Sequence, residues 1–314
     1  MMEKLILLFL VAFFTSVFSA KFFIKKAKKK GFVARDMYKE NKPFVPFMGG
    51  FIILAGIFSS LIVSIFLKFN HSNLFILYFV VFAFALYGLA DDLFGFKKKS
   101  DKILLLFFLA LPIAVLTIDT NLNLIFFNIE LGWMYGFLFA PIYIMVVVNM
   151  INMHSGYNGL AGGLTLILLI FAAIKSYMIN GFDYFYFIMP VIGALTAFMY
   201  FNWYPSKVFL GNIGSFLIGS ALGGFLVLSN MEFFGAVILI PHISDFLLFS
   251  YTKITRKKFV KFGGLRKDRT LIAPNPPLKL KALIAHFLRV NEWQAVLILY
   301  SITIIFCIIG LIWF

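Results

Sequence analysis

The 314-residue chain is 62% hydrophobic and 13% charged, contains 43 phenylalanines and carries a formal net charge of +15. So much apolar surface excludes a water-soluble domain and makes lipid the solvent of the chain. The single cysteine, Cys307, excludes an intrachain disulfide and a thiolate zinc cluster.

Hydropathy predicts an all-α polytopic membrane protein: one integral membrane domain over residues 1–314 with about ten transmembrane helices. The spans fall at roughly 3–24, 47–67, 73–91, 103–118, 133–151, 160–179, 184–203, 208–228, 234–251 and 294–314. The first span lacks a small-residue cleavage site and is followed, not preceded, by a basic loop, so it reads as a retained helix and not a signal peptide. With the intervening loops numbered in order, 25 of the 28 lysines and arginines belong to odd-numbered loops; the exceptions are Lys4, Lys68 and Lys175. The positive-inside rule then sets the odd loops in the cytoplasm and both termini outside, as expected of a multi-pass protein of the plasma membrane. Topology and contact with anionic lipid account for most of the net charge, a share is left for an anionic substrate, and no nucleic-acid partner is expected.

Loop 1 contains Ala34-Arg-Asp-Met-Tyr-Lys39 and then Pro46-Phe-Met-Gly-Gly50. The glycine pair opens span 2 and permits close backbone approach, either to a neighbouring helix or to a ligand. Span 3 ends in Gly88-Leu-Ala-Asp-Asp-Leu-Phe-Gly-Phe-Lys-Lys-Lys99, the most informative stretch of the chain. On insertion scales Asp91 and Asp92 cost roughly 2.5–3.5 kcal/mol each at membrane depth. Such a pair needs a cation, a substrate or water, and its position at a basic interface suits a divalent metal held against a phosphorylated ligand. Loop 4, Asp119 to Leu131, alternates polar and apolar residues and predicts a small external hairpin.

Loop 5 reads Asn149-Met-Ile-Asn-Met-His-Ser-Gly-Tyr-Asn-Gly-Leu-Ala-Gly-Gly163. Asn149 and Asn152 are spaced to share one helical face at the end of span 5. Asparagine carbonyls ligate hard cations, and the amides of a glycine-rich break bind phosphate; a plain turn with polar caps is the other reading. His154 alone reads as a turn or interface residue, not a ligand. Loop 7 leads into Pro205-Ser-Lys-Val-Phe-Leu-Gly-Asn-Ile-Gly-Ser215. Lys207 stands at the interface, with Asn212 and Ser215 one turn apart at a helix start that favours an anion; small-residue packing is the alternative. In span 9, Pro241-His-Ile-Ser-Asp245, the aspartate should face the bundle interior or a polar cavity.

Loop 9, the longest connection, holds Lys253, Arg256, Lys257 and Lys258, the pair Gly263-Gly264, and Leu265-Arg-Lys-Asp-Arg-Thr-Leu-Ile-Ala-Pro-Asn275. Arg266 and Arg269 are candidates to fork onto phosphate oxygens, while lipid headgroups claim half or more of the other basic residues. Pro274, Pro276 and Pro277 exclude a continuous helix, and Leu278 to Leu288 carries the spacing of a short amphipathic surface helix. All these polar constellations fall on the predicted cytoplasmic side, and scattered packing residues would have no reason to choose one face.

In this order, Pro46…Met48-Gly-Gly50, Asp91-Asp92, Asn149-x-x-Asn152 with Gly156-x-Asn158-Gly-Leu160, Phe209-Leu-Gly-x-x-Gly-Ser215 and Pro241…Asp245 make a set. The set resembles the polyprenyl-phosphate N-acetylhexosamine-1-phosphate transferases, glycosyltransferase family 4, over nearly the whole chain. That family includes the bacterial enzyme that makes the first lipid intermediate of peptidoglycan. It also includes the archaeal and eukaryotic enzymes that start the lipid-linked glycan for N-glycosylation. Ser155-Gly-Tyr-Asn-Gly159 and the Arg266…Arg269…Ala273-Pro-Asn275 run look like the archaeal and eukaryotic branch. The resemblance implies transfer of GlcNAc-1-phosphate, or a related N-acetylhexosamine-1-phosphate, from a UDP-sugar to a polyprenyl phosphate such as dolichyl phosphate, releasing UMP.

The cofactor implied is Mg²⁺, with Mn²⁺ as the alternative hard cation. The resemblance implies catalytic roles for Asp91, Asp92 and Lys102, the last with a one-residue shift from the eukaryotic pattern. It implies substrate-binding roles for Asn149, Asn158, Lys207, Arg266 and Arg269, and metal-site roles for Asn152 and Asn212. Asn212 stands where the family carries a metal-ligating aspartate, which weakens the implied site by one charge. Membrane lipid surrounds the chain, and a homodimer is the alternative to a monomer. Two rival readings stand: a lipid-phosphate or nucleotide-sugar transporter, which needs polar residues along both halves of its path, and a non-catalytic family member.

Overall fold

The computed structural model describes residues 1–67, 69, 71–96, 99–117, 120–123, 128–255 and 263–313, and the side chains of residues 71, 99–102 and 123 also lie outside that description. Arg256, Lys257 and Lys258 are among the residues outside it. The protein is a bundle of helices, because a backbone in lipid must satisfy its own amides within one segment. In chain order the helices are α1 (Met2–Lys29), α2 (Gly50–Ser64), α3 (His71–Phe94), α4 (Lys99–Ala110), α5 (Ala140–Met153), α6 (Leu160–Asn180), α7 (Phe185–Asn202), α8 (Gly211–Leu228), α9 (Glu232–Ile238), α10 (Ile240–Thr255), α11 (Leu280–Phe287) and α12 (Glu292–Trp313). Three antiparallel two-stranded ribbons join them: β1 (Val33–Arg35) with β2 (Phe44–Pro46), β3 (Asn121–Asn123) with β4 (Asn128–Glu130), and β5 (Gly264–Leu265) with β6 (Leu271–Ile272). The β3–β4 ribbon is the hairpin expected in loop 4, and α11 is the short helix expected in loop 9.

Among the described residues eight helices are long and apolar enough to cross a membrane, against about ten predicted spans. The differences have local causes. The fourth predicted span yields the shorter apolar stretch Ile103–Leu116. Pro112 lacks an N–H, and α4 gives way to a 3₁₀ turn over Leu111–Leu116. The ninth span is broken: α9 and α10 meet at a 64° bend, and Pro241 occupies the first turn of α10, where a missing amide costs nothing. Conversely, α1 runs past its predicted end through the lysines, which are good helix formers. It stops where Gly31 takes a φ of +76°, and the Gly31 and Phe32 amides return to the Lys28 and Ala27 carbonyls at 3.2 and 3.0 Å.

Helix α8 is the core. Every residue from Ile213 to Leu228 is buried, packed by α3, α5, α2, α6 and α7. Small residues let these backbones approach. A Cβ on Gly50 would come within 2.6 Å of the Gly214 Cα, so α2 and α8 cross with almost nothing between them. The amides of Gly49 and Gly50 donate to the Phe209 and Leu210 carbonyls at 2.8 and 3.0 Å, and Phe209 N–H donates to Pro46 O at 2.8 Å. The glycine pair therefore serves backbone packing between loops 1 and 7.

Described residues of loop 1, the end of α3, loop 5 and loop 7 line one cavity, and described residues of loop 9 join loops 1 and 5 at the next; a buried polar network binds four of the segments there. Glu292, the first residue of α12, is 3% exposed. Its Oε1 accepts the Asn158 amide at 2.7 Å and Asn158 Nδ2 at 2.6 Å, and its Oε2 accepts Lys39 Nζ. Asn158 Nδ2 also reaches Asp36 Oδ2 at 3.0 Å, and its Oδ1 accepts the Ser206 amide at 2.9 Å. Lys39 lies 3.4 Å from Asp36 Oδ2 and 3.9 Å above the Tyr204 ring centre. Removing one partner of a buried ion pair costs about 3–5 kcal/mol, because the other charge stays desolvated. Glu292→Ala is therefore expected to lower the thermal midpoint of the detergent-solubilised protein sharply. Glu292→Gln, which keeps an acceptor for Asn158, should lower it less. Equal midpoints for wild type and Glu292→Ala would remove the network from this role.

Candidate functional site

The acidic pair stands at the end of α3, where that helix presses on the start of α8. A Cβ on Gly88 would lie 2.5 Å from the Asn212 carbonyl oxygen. The first amides of α8 have no intrahelical acceptor, and its N-cap residue, Leu210, makes no side-chain cap. Asp92 supplies the acceptors from the neighbouring helix: Oδ1 takes Asn212 N–H and Oδ2 takes Ile213 N–H, each at 3.0 Å. The positive end of the α8 dipole offsets the carboxylate charge. Asp91 Oδ2 accepts Asn212 Nδ2 at 3.1 Å and Oδ1 accepts Phe96 N–H at 3.1 Å. From the last turn of α5, Asn152 Oδ1 accepts Ser215 Oγ at 2.7 Å. Asp91, Asp92, Asn152 and Asn212, four of the residues singled out in the sequence, are thus brought together.

Asp92, Asn152, Asn212 and Ser215 border a polar cavity of about 320 Å³ that Asp36 and Asn158 also line; Asp91 is hydrogen-bonded to Asn212 but is not among the lining residues. Its donors are carboxylate, amide and hydroxyl oxygens. Among the described residues no three His, Cys, Asp or Glu side chains gather to hold a metal ion. The Asp92 carboxylate backed by the neutral oxygens of Asn152, Asn212 and Ser215 fits Mg²⁺, which keeps several waters and takes the rest of its ligands from substrate phosphates. These groups do not make an all-protein cage.

The edge-to-face rings of Tyr38 and Tyr157, 4.8 Å apart, form a wall of the polar cavity. Behind them lies a second cavity of about 270 Å³ with Met153, Phe249, Lys279 and Lys281. Lys281 Nζ donates to Ser155 O at 2.7 Å and lies 4.6 Å above the Tyr157 ring centre, while Lys279 Nζ donates to Met153 O. Both lysines meet carbonyls at the C-terminal end of α5, the negative end of its dipole. Met153 and Phe249 also line a larger apolar groove of about 750 Å³ between α4, α5 and α10, with Asn149 and Lys253 on it. The three spaces therefore adjoin one another across shared walls, from polar to apolar.

Burial pushes the Tyr38 and Tyr157 hydroxyls up, so both stay protonated at neutral pH. Burial first, then His242, Lys279 and Lys281, hold His154 well below its ordinary range. The neutral imidazole packs edge-on to His242, ring centres 4.7 Å apart, as the interface residue the sequence suggested. Asp245 is buried in the bundle as expected, and its Oδ1 accepts Leu280 N–H at 2.8 Å, which seats the start of α11.

The remaining sequence candidates stand elsewhere. Asn149 does not line the polar cavity with Asn152; its Nδ2 donates to Met145 O at 2.8 Å and it faces the apolar groove. Asn158 borders the cavity, but its polar atoms belong to the Glu292 network. Lys207 is exposed beside the Tyr200 ring, 5.3 Å from its centre. Arg266 donates to Leu271 O at 2.5 Å and braces the β5–β6 ribbon. Arg269 pairs with Glu40 at 2.9 Å on the surface. Neither arginine lines the polar cavity. Lys102 lies in the first turn of α4, and its side chain is outside the described residues. Lys279, Lys281 and Glu292 were not singled out in the sequence. A carboxylate heading an apolar span, and two lysines opening an amphipathic helix, were the available signals.

The profile of glycosyl transferase family 4 matches residues 74–230, which contain the acidic pair, the asparagine loop and the start of α8. A protein of Saccharolobus solfataricus, provisionally named UDP-N-acetylglucosamine–dolichyl-phosphate N-acetylglucosaminephosphotransferase, is 31% identical over 96% of this chain and 94% of its own length. A protein of Sulfolobus acidocaldarius with the same provisional name is 28% identical over the same shares. The phospho-N-acetylmuramoyl-pentapeptide-transferase of Acetivibrio thermocellus is 27% identical over 86% of this chain and 82% of its own. With the ordered motifs, the capped acidic pair and near full-length matches in agreement, the chain belongs to glycosyl transferase family 4.

Proposed function

We propose that the protein transfers GlcNAc-1-phosphate from UDP-GlcNAc to a polyprenyl phosphate, dolichyl phosphate in the archaeal manner, and releases UMP. The observation that carries this reading is a polar cavity at Asp92 that adjoins, through one intervening cavity with shared walls, an apolar groove between α4, α5 and α10. A water-soluble nucleotide sugar and a lipid phosphate need such a junction between two solvents. The names of the archaeal relatives support the substrate pair.

In the reaction an oxygen of the lipid phosphate attacks the phosphorus bearing the sugar. The bond from that phosphorus to the bridging oxygen breaks, and UMP leaves with the electron pair. One phosphoanhydride replaces another, so catalysis rests on positioning and on stabilising charge. The prenyl chain lies in the apolar groove, with Lys253 at its rim drawing the phosphate. Lys279 and Lys281 stand between the two substrates, where anionic oxygens converge. Asp92 fixes the α8 N-terminus, and Asp91 accepts or orients the proton of the attacking phosphate. Mg²⁺, held by the Asp92 carboxylate with the Asn152 and Asn212 carbonyls, would supply charge neutralisation at the diphosphate. The described polar side chains at the cavity stand at one end of the bundle, which favours this reading over a transporter.

Purified protein is expected to release UMP from UDP-GlcNAc only when a polyprenyl phosphate is added; no release with any UDP-sugar would favour the non-catalytic reading. Asp91→Asn should lower turnover by at least roughly a hundredfold with the thermal midpoint preserved. Asp92→Asn should lower both, since loss of a helix cap costs about 1 kcal/mol. Near-normal turnover in both variants would return the pair to a structural role.

Asn212→Asp adds a second carboxylate beside Asp92 at the metal site. Half-maximal activity should then need less Mg²⁺ than in wild type. A metal titration with an unmoved midpoint would take Asn212 out of the metal site.

The positive-inside rule, applied to the basic loops, supports a cytoplasmic orientation of the site end of the bundle. In a Cys307→Ser background, Lys42→Cys and Lys267→Cys should react with an impermeant thiol reagent only from the cytoplasmic side, and Ile129→Cys, on the β3–β4 ribbon, only from outside. The reverse pattern would part the acidic pair from the nucleotide pool.

A further inference from the structure

A second lateral groove opens on the far side of α3, away from the three adjoining spaces. It measures about 410 Å³ and lies between α1, α2 and α3. Its walls are apolar: Phe22 and Phe23 from α1, Phe51 from α2, Leu89 and Leu93 from α3. The Phe23 and Phe51 rings meet at 5.8 Å. Two charged residues line it, Lys26 and Lys30, one turn apart on the same face of the α1 terminus. Neither has an acidic partner among the described residues.

Depth sorts these groups. The 28 residues of α1 make a helix about 42 Å long, against a hydrocarbon core of about 30 Å. At its start, Lys4 is tied to the Leu67 carbonyl at 2.8 Å, which marks the opposite interface. The last two turns of α1 therefore reach headgroup level, and the rings of Phe22 and Phe23 stand just below. Cations above and rings beneath complement a phosphate with hydrocarbon chains attached.

We infer that this groove binds one anionic phospholipid of the surrounding membrane, its phosphate between Lys26 and Lys30 and its chains on Phe22, Phe23, Phe51, Leu89 and Leu93. The occupant is a resident lipid and not the reacting one. The groove shares no lining residue with the polar cavity, whereas the α4–α5–α10 groove reaches that cavity through shared walls. This choice between the two lipids rests on the transferase reading; lipid retention itself does not.

The test is native mass spectrometry of the full chain released from nanodiscs holding equal amounts of phosphatidylglycerol and phosphatidylcholine, without UDP-sugar. Wild type is expected to retain phosphatidylglycerol with at least roughly a tenfold preference, given about 1 kcal/mol for each lysine near the surface. Lys26→Gln/Lys30→Gln should abolish the preference. Lys28→Gln/Lys29→Gln removes the same charge from residues that do not line the groove, and should leave the preference in place. Leu93→Trp, which fills the groove and keeps both lysines, should also release the lipid. Equal loss in the two double variants would mean diffuse surface charge and overturn the site, as would no preference in wild type or full retention in Leu93→Trp. Displacement of the retained lipid by equimolar undecaprenyl phosphate would assign the groove to a polyprenyl phosphate and overturn the inference as stated.

Discussion

The hydrogen bonds from the first turn of α8 to Asp92 fix the frame in which the other polar groups are placed. A helix buried on all sides in lipid cannot leave its leading amides bare, and α8 begins with Leu210 and Gly211, which bring no side-chain acceptor. The acceptor comes from another helix, so the cap also sets the height of α3 against α8. Asn212 then lies beside Asp91, and Ser215, one turn on, meets Asn152 from α5. Three helices are registered on one helix end. Because the cap is a carboxylate, the same contact that orders the bundle keeps negative charge beside a positive dipole.

Around this fixed floor the walls are built from segments distant in sequence. Loop 9 is seated by Asp245 through the Leu280 amide, and its two lysines reach the carbonyls that end α5. Those lysines already neutralise a helix C-terminus, so they stand half-buried and oriented before any anion arrives. Electrostatic preorganisation of that kind stabilises charge developing in phosphoryl transfer without a reorganisation cost at the moment of reaction. The surface arginines Arg266 and Arg269 do not share it, since their partners are a ribbon carbonyl and Glu40.

Much of this was legible in the sequence, and the misses have physical causes. Long apolar runs gave eight spans because lipid leaves a backbone few choices. The two spans that differ are those where proline, at positions 112 and 241, outweighed hydropathy. Asp91, Asp92, Asn152 and Asn212 could be grouped because each sits at a helix end, where position along the chain translates into depth. Asn149 could not be placed: it lies three positions before Asn152, yet that rotation is enough to turn it towards another cavity. The loop arginines failed for a related reason, since a long side chain on a ribbon has no periodicity to aim it. The Asn158 network was invisible because it joins residues 36, 39, 158, 206 and 292, and no local pattern reports such separations.

Glu292 has a consequence for biosynthesis. A membrane protein enters the bilayer from its N-terminus, and the segments bearing Asp36, Lys39, Asn158 and Ser206 are all made before α12. Until Glu292 emerges, the Asn158 amide and the Lys39 ammonium lack the carboxylate that joins them, and loops 1, 5 and 7 are tied only through the Asn158 side chain. The ribosome thus delivers the keystone of the arch last, and a nascent chain has nearly its whole set of spans in the membrane before its polar end can set.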